Sequence, residues 1–86
     1  MNFFVYILRS IKDDKLYIGQ TNNLEKRIER HNNGQVRSTK SRRPLELIYQ
    51  ETYKTRTETM AREKYLKSLK SSKYILENII ILKKPG

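Results

Sequence analysis

The stretch from Phe3 to Gly19 constrains this chain more than any other. It reads as an apolar run (FFVYIL), a polar segment (SIKDD) and a short second run ending in Tyr17-Ile18-Gly19. The first run is apolar at successive positions, so Phe3 to Arg9 is expected to be a central strand with both faces covered. Asp13-Asp14 supplies turn chemistry, and Leu16 to Gly19 is the returning strand. Side chains alternate along a strand, so an even number of turn residues puts Tyr6 and Tyr17 on one face of the resulting hairpin. Gly19 marks a bend or a close approach of another group to the backbone.

The rest of the chain punctuates cleanly. Asn22, with Glu25 three residues on, predicts the N-cap of a helix over about 23–33, and Gly34 is placed to end it. Leu24 and Ile28 form the apolar stripe of that helix; His31 lies between them in angle and Arg27 flanks them. Residues 35–43 carry four basic residues and no acid, which predicts an exposed basic loop. Pro44 opens a third strand over 45–52, with Leu45, Leu47 and Tyr49 expected on one face. Thr55 caps a second helix that runs to about Lys70. Its core face is expected to hold Ala61, Tyr65 and Leu69, flanked by Leu66. Ser71 or Ser72 starts a last helix that packs Ile75, Leu76, Ile79 and Ile80 inward, and the tail after it is expected to fray. The order β-β-α-β-α-α with a hairpin predicts an α+β fold: a small three-stranded, mostly antiparallel sheet flanked by helices.

Charge decides the class of partner. The chain has 19 basic and 9 acidic residues in 86, a net charge of +10. Such a field draws polyanions, and its spread over the whole chain favours nucleic acid over a membrane surface. The bland alternative is a basic surface with no specific partner. Eighty-six residues predict a single domain with a modest core. No run is long enough to span a bilayer, no signal-peptide pattern opens the chain, and cysteine is absent; a cytoplasmic protein is the expectation.

Each residue that can carry chemistry also has a plain structural reading. Tyr6 and Tyr17 suit a half-buried strand as well as a site. Arg27 and His31, one helical turn apart, suit a phosphate as a guanidinium fork plus an imidazole donor. A histidine on an apolar stripe equally suits a buried, hydrogen-bonded core position. Glu63 lies away from the predicted core face, with Lys67 four residues on, as in a surface ion pair. Its functional alternative is a lone carboxylate ligand to a hydrated divalent cation. Asp13 and Asp14 are read as turn residues before metal ligands. The chain offers no glycine-rich phosphate loop and no triad setting for its one histidine.

Taken together these segments resemble the GIY-YIG nuclease superfamily, in particular its small stand-alone bacterial members, over about residues 2–76. Phe4-Val5-Tyr6 stands at the first tripeptide and Tyr17-Ile18-Gly19 matches the second. LEKRIERHNNG supplies Arg27 and His31 at the family's spacing, and MAREKYLKSLK supplies Glu63 with Lys67 following. The resemblance implies a single GIY-YIG-type domain over residues 1–86 that cleaves a DNA phosphodiester with Mg²⁺ or Mn²⁺. It implies Tyr6 as general base, Tyr17 as its assistant, Arg27 on the phosphate, His31 relaying protons or holding Tyr6, and Glu63 holding the ion. Two departures stand out: Phe4 replaces the first glycine, and Gln20 follows the second tripeptide where some members have lysine, so Lys40 is a candidate substitute. Arg37, Lys40, Arg42 and Arg43 are expected to bind nucleic acid. With no second domain to read a long site, activity directed by DNA structure or only weakly by sequence is expected, with branched or flapped DNA as a candidate substrate. The rival readings are a non-catalytic nucleic-acid-binding module on the same fold and a structural partner in a larger nucleic-acid complex.

Overall fold

A computed structural model describes residues 2–80. The strands β1 (Phe3–Ser10), β2 (Leu16–Thr21) and β3 (Leu45–Tyr53) form one antiparallel sheet in the order β2-β1-β3. The helices α1 (Leu24–Asn32), α2 (Arg56–Ser68) and α3 (Ser72–Ile75) complete the expected β-β-α-β-α-α order. The last helix passes directly into a π-helical turn, Leu76–Ile80. Among the described residues, no helix is long and apolar enough to cross a membrane.

The unbroken apolar run of β1 has its cause in this order. β1 is the middle strand, and Val5, Tyr6, Ile7 and Leu8 are all fully buried. Alternation sends them into two separate cores. Val5 and Ile7 pack with Ile18, Tyr49, Leu66, Ile75 and Ile80 beneath α2 and α3. Tyr6 and Leu8 pack with Leu45, Tyr17, Leu24 and Ile28 beneath α1. Ile75 and Ile80 are buried and Leu76 and Ile79 partly so, as their spacing predicts.

Helix ends follow local side-chain chemistry. Asn23, not Asn22, caps α1: its side chain accepts from the Lys26 amide at 3.1 Å, while Thr21 Oγ1 accepts from the Asn23 amide. The expected Asn22–Glu25 pairing is thus shifted by one residue. Gly34, at φ +76°, ends the helix as anticipated. Its amide donates to the His31 carbonyl and that of Gln35 to the Arg30 carbonyl, the paired bonds of a Schellman turn. Thr55 and Ser71 cap α2 and α3 by accepting from the Glu58 and Tyr74 amides.

Two sequence expectations fail, each for a reason visible in the packing. Leu45, Leu47 and Tyr49 do not share a face. Leu8 pairs with Leu47 but Ile7 pairs with Tyr49, so Ile48 is an extra residue in β3. This bulge reverses the alternation and sends Tyr49 to the α2 side. On α2, Ala61 and Tyr65 are exposed, whereas Thr59 and Leu66 are buried and Arg62, Glu63 and Leu69 partly so. Partners for polar groups decide the rotation of this helix. Arg62 makes a bidentate pair with Glu51 at 2.9 Å for both bonds, and Thr59 Oγ1 donates to the Thr55 carbonyl at 2.8 Å. Tyr49 and Tyr53 also donate to Glu51. Burial alone would raise the Glu51 carboxyl, but the Arg62, Tyr49 and Tyr53 hydrogen bonds together hold it below the usual range.

Candidate active site

Register brings the two tyrosines together. Tyr6 pairs with Gly19 and Leu8 with Tyr17, so both phenols rise from the same face, with ring centroids 6.4 Å apart. Gly19 is the floor under Tyr6. A Cβ at position 19 would run into the Tyr6 Oη and Cζ. Gly19→Ala is therefore expected to push the ring off its seat and destabilise the domain by about 1–3 kcal/mol, measured by urea unfolding.

Helix α1 covers these phenols. His31 has no exposed surface, and its ring stands edge-on to Tyr17 and Tyr6 at 4.9 and 5.8 Å. The Tyr6 hydroxyl lies 3.0 Å from His31 Nε2, and Arg27 Nε donates to the same hydroxyl at 3.3 Å. On the far side of the ring, His31 Nδ1 lies 2.8 Å from Thr39 Oγ1, which donates to the Val36 carbonyl. One arrangement of protons satisfies every group. Arg27 donates to Tyr6, Tyr6 to Nε2, Nδ1–H to Thr39, and Thr39 to the backbone. The reverse tautomer would leave Tyr6 without an acceptor.

Thr39 is the residue that sequence reasoning missed. It stands in the basic segment, where a loop threonine carries no signal by type. Its burial is complete, and it fixes both the histidine tautomer and the basic loop. That loop is partly ordered: Lys40–Arg42 forms a 3₁₀ turn, and Ser10 Oγ donates to the Arg42 carbonyl at 2.7 Å. Arg37, Lys40 and Arg43 are exposed and Arg42 half-buried.

Electrostatics gives this chain a direction. Burial, with the charge of Arg27 second, pulls His31 down to about 4. The ring is neutral at pH 7 and accepts from Tyr6. Burial raises the Tyr6 phenol, and this outweighs the lowering by its Arg27 hydrogen bond. The Arg27 charge by itself would make the phenol more acidic; in the folded chain desolvation wins, and Tyr6 holds its proton. The imidazole is likewise not free to donate to a phosphate, because both nitrogens are engaged inside the protein.

His31 sets a pH dependence of stability. It is the only histidine in the chain, and its folded pKa of about 4 lies below the unfolded value of 6.5. From pH 6.5 down to 4 the unfolded state binds a proton that the native state does not, so stability falls as pH falls. The expected loss between pH 6.5 and 5 is about 1.5 kcal/mol. His31→Gln should abolish this slope in urea titrations, since carboxylates titrate lower.

Glu63 does not join the four residues under α1. It stands on α2, across the sheet, where Oε1 accepts from Gln20 Nε2 at 3.1 Å and Oε2 pairs with Lys67 Nζ at 3.2 Å. Only the edge strand β2 separates it from the phenols, and its charge still acts to raise Tyr6. Gln20, at the position where some family members carry lysine, thus holds the carboxylate. The surface-pair reading of Glu63 meets its contact here, since Oε2 faces Lys67. Among the described residues no group of three or more histidines or acids could hold a metal ion. A single anchoring carboxylate fits a hydrated Mg²⁺ or Mn²⁺ that keeps its waters, not a caged ion. Asp13 and Asp14 make the hairpin turn: Asp13 Oδ1 accepts from the Lys15 amide and Asp14 takes φ 61°.

Known proteins fall in line with this geometry. The model of the GIY-YIG catalytic domain family matches residues 2–75. A UPF0213 protein of Clostridium perfringens is 49% identical over 67 residues, 77% of this chain and 71% of that one. The UPF0213 protein YazA of Bacillus subtilis is 44% identical over 73 residues, 84% and 73% of the two chains. The solution structure of a UPF0213 protein from Bacillus halodurans superposes with a TM-score of 0.59 at 32% identity, covering 96% of this chain and 86% of that one. With the family model matched over nearly all described residues, and relatives this similar along most of their length, the chain belongs to the GIY-YIG catalytic domain family.

Proposed function

We propose that this domain is a divalent-metal-dependent DNA endonuclease that hydrolyses phosphodiester bonds, directed by DNA structure and not by a long sequence. The observation that carries this reading is the one-way hydrogen-bond chain from Arg27 through Tyr6 and His31 to Thr39. It leaves a proton acceptor, Nε2, behind a phenol at the edge of a strongly basic surface.

The roles follow from the contacts. Arg27 is half-buried and can turn its fork from Tyr6 to a phosphate. That movement uncovers the Tyr6 hydroxyl, which is otherwise fully enclosed. Water then attacks phosphorus, passing its proton to Tyr6 Oη while Tyr6 passes its own to His31 Nε2. The bond to the leaving oxygen breaks, and solvent protonates that oxygen. Thr39 keeps Nε2 free by holding the proton on Nδ1. Tyr17, half-buried beside both rings, orients the water. Glu63 would hold Mg²⁺ or Mn²⁺, and such an ion would supply stabilisation of the negative charge that develops during hydrolysis. Arg37, Lys40, Arg42 and Arg43 draw the DNA backbone to the site in a cytoplasmic setting.

One observation favours the rival reading of a non-catalytic nucleic-acid-binding module: Tyr6 has no exposed surface. A cleavage panel separates the two. The protein is incubated with duplex, flapped and branched DNA in Mg²⁺, Mn²⁺ or EDTA. The nuclease reading expects metal-dependent nicking of the flapped or branched forms. Binding to every form with no cut in either metal would leave the binding module.

A further inference from the structure

The free edge of β2 carries a second concavity that the proposed reaction leaves unused. A cavity of about 290 Å³ lies between this strand and the junction of α2 with α3. Leu16, Ile18, Leu66 and Ile75 give it an apolar lining. Tyr17, whose ring packs against His31 in the candidate site, lines it as well. Lys67 and Lys70 also line the cavity, the first with its ammonium paired to Glu63, and none of the described residues lining it is acidic. Through the Lys67–Glu63 pair it reaches the residue proposed to anchor the ion.

Lys70 is the informative residue. It follows the C-cap of α2 and takes φ 52°, the left-handed conformation in which glycine is favoured and any Cβ is strained. A lysine in this conformation, where glycine would be easier, puts a cation beside an apolar lining. Such a volume sits at the lower end of ligand clefts, which suits one planar ring. An apolar lining with ammonium groups beside it matches a nucleotide: base inside, phosphate outside. A base paired and stacked in a duplex cannot enter such a cavity; an unpaired one can.

We propose that this cavity receives the base of an unpaired nucleotide flanking the phosphate held near Tyr17 and Arg27, with Lys70 on the flanking phosphate. The inference rests on the nuclease reading for what happens at the neighbouring phosphate. It names the substrate as DNA with an unpaired strand at the cut.

The test is binding in EDTA, where no cleavage occurs. The ¹⁵N-labelled protein is titrated with an octamer of thymidylate and with an abasic octamer of equal charge. Amide shifts are expected at Ile18, Leu66, Lys70 and Ile75 with the thymidylate octamer. The abasic strand should bind roughly 5- to 100-fold more weakly. Lys70→Gly should melt no lower than wild type, because glycine suits φ 52°. It should nevertheless bind the thymidylate octamer several-fold more weakly, with a salt slope reduced by about one. Equal affinity for the two octamers, silent amides along the cavity, or a Lys70→Gly protein that binds as wild type would each overturn the proposal. A protein that nicks flapped DNA while these amides stay silent loses only this cavity. One that binds here yet cuts nothing loses only the nuclease.

Discussion

Glu63→Ala is expected to lower metal-dependent cleavage of flapped DNA by about 10³-fold or more, with DNA binding nearly unchanged and only a modest loss of folding stability. The partners of the carboxylate are the Gln20 amide, on the edge strand β2, and the Lys67 ammonium, one helical turn on along α2. The Lys67 side chain is 54% exposed and regains water when the carboxylate is removed, but the Glu63 side chain is only 19% exposed, so the structural cost is that of a part-buried hydrogen-bonded pair, about 1–2 kcal/mol. Losing the anchor of an ion worth several kcal/mol of transition-state stabilisation costs far more, at tenfold per 1.36 kcal/mol. Single-turnover cleavage and urea unfolding of the same preparation check both halves. A variant that cuts within tenfold of wild type would remove Glu63 from the reaction.

Tyr6→Phe is expected to act on rate and stability together. The hydroxyl lost is the middle of a buried chain. Without it, His31 Nε2 has no donor and Arg27 Nε no acceptor inside the protein. An orphaned buried acceptor costs about 1–3 kcal/mol. Loss of the proton-transfer group costs a further factor of about 10²–10⁴ in cleavage rate. Both should appear at pH 7, where the imidazole is neutral. If the variant is less stable but cuts at the wild-type rate, the phenol is a packing and positioning group only, and water is activated elsewhere.

Much of this was legible in the chain because it depends on near neighbours. The central strand showed itself as four consecutive apolar residues, Val5 to Leu8, each fully buried. The capping patterns at Thr55 and Ser71, and glycine after α1, are local chemistry with local outcomes. That Tyr6 and Tyr17 share a face needed only the period of a strand and an even number of residues between paired positions.

Other features had no local signature. The bulge at Ile48 depends on how β3 meets β1, so the face of Tyr49 could not be read from alternation. On α2, the apolar residues are too few to define a stripe, and the rotation is settled by Glu51 and Gln20, distant in sequence, which take Arg62 and Glu63. Thr39 became part of the site only because the loop after α1 folds back under His31.

By itself the sequence determined the elements, their order, the basic field and the residue types able to meet a phosphate, since propensity, period and charge act within a few residues. Only the tertiary structure decided that four of the five candidate side chains share one face while the carboxylate approaches past the edge strand. It also decided that His31 is a buried acceptor and not an exposed donor. Desolvation is the physical reason: it depends on everything packed around a group, and that is fixed only when the sheet and α1 have closed over it.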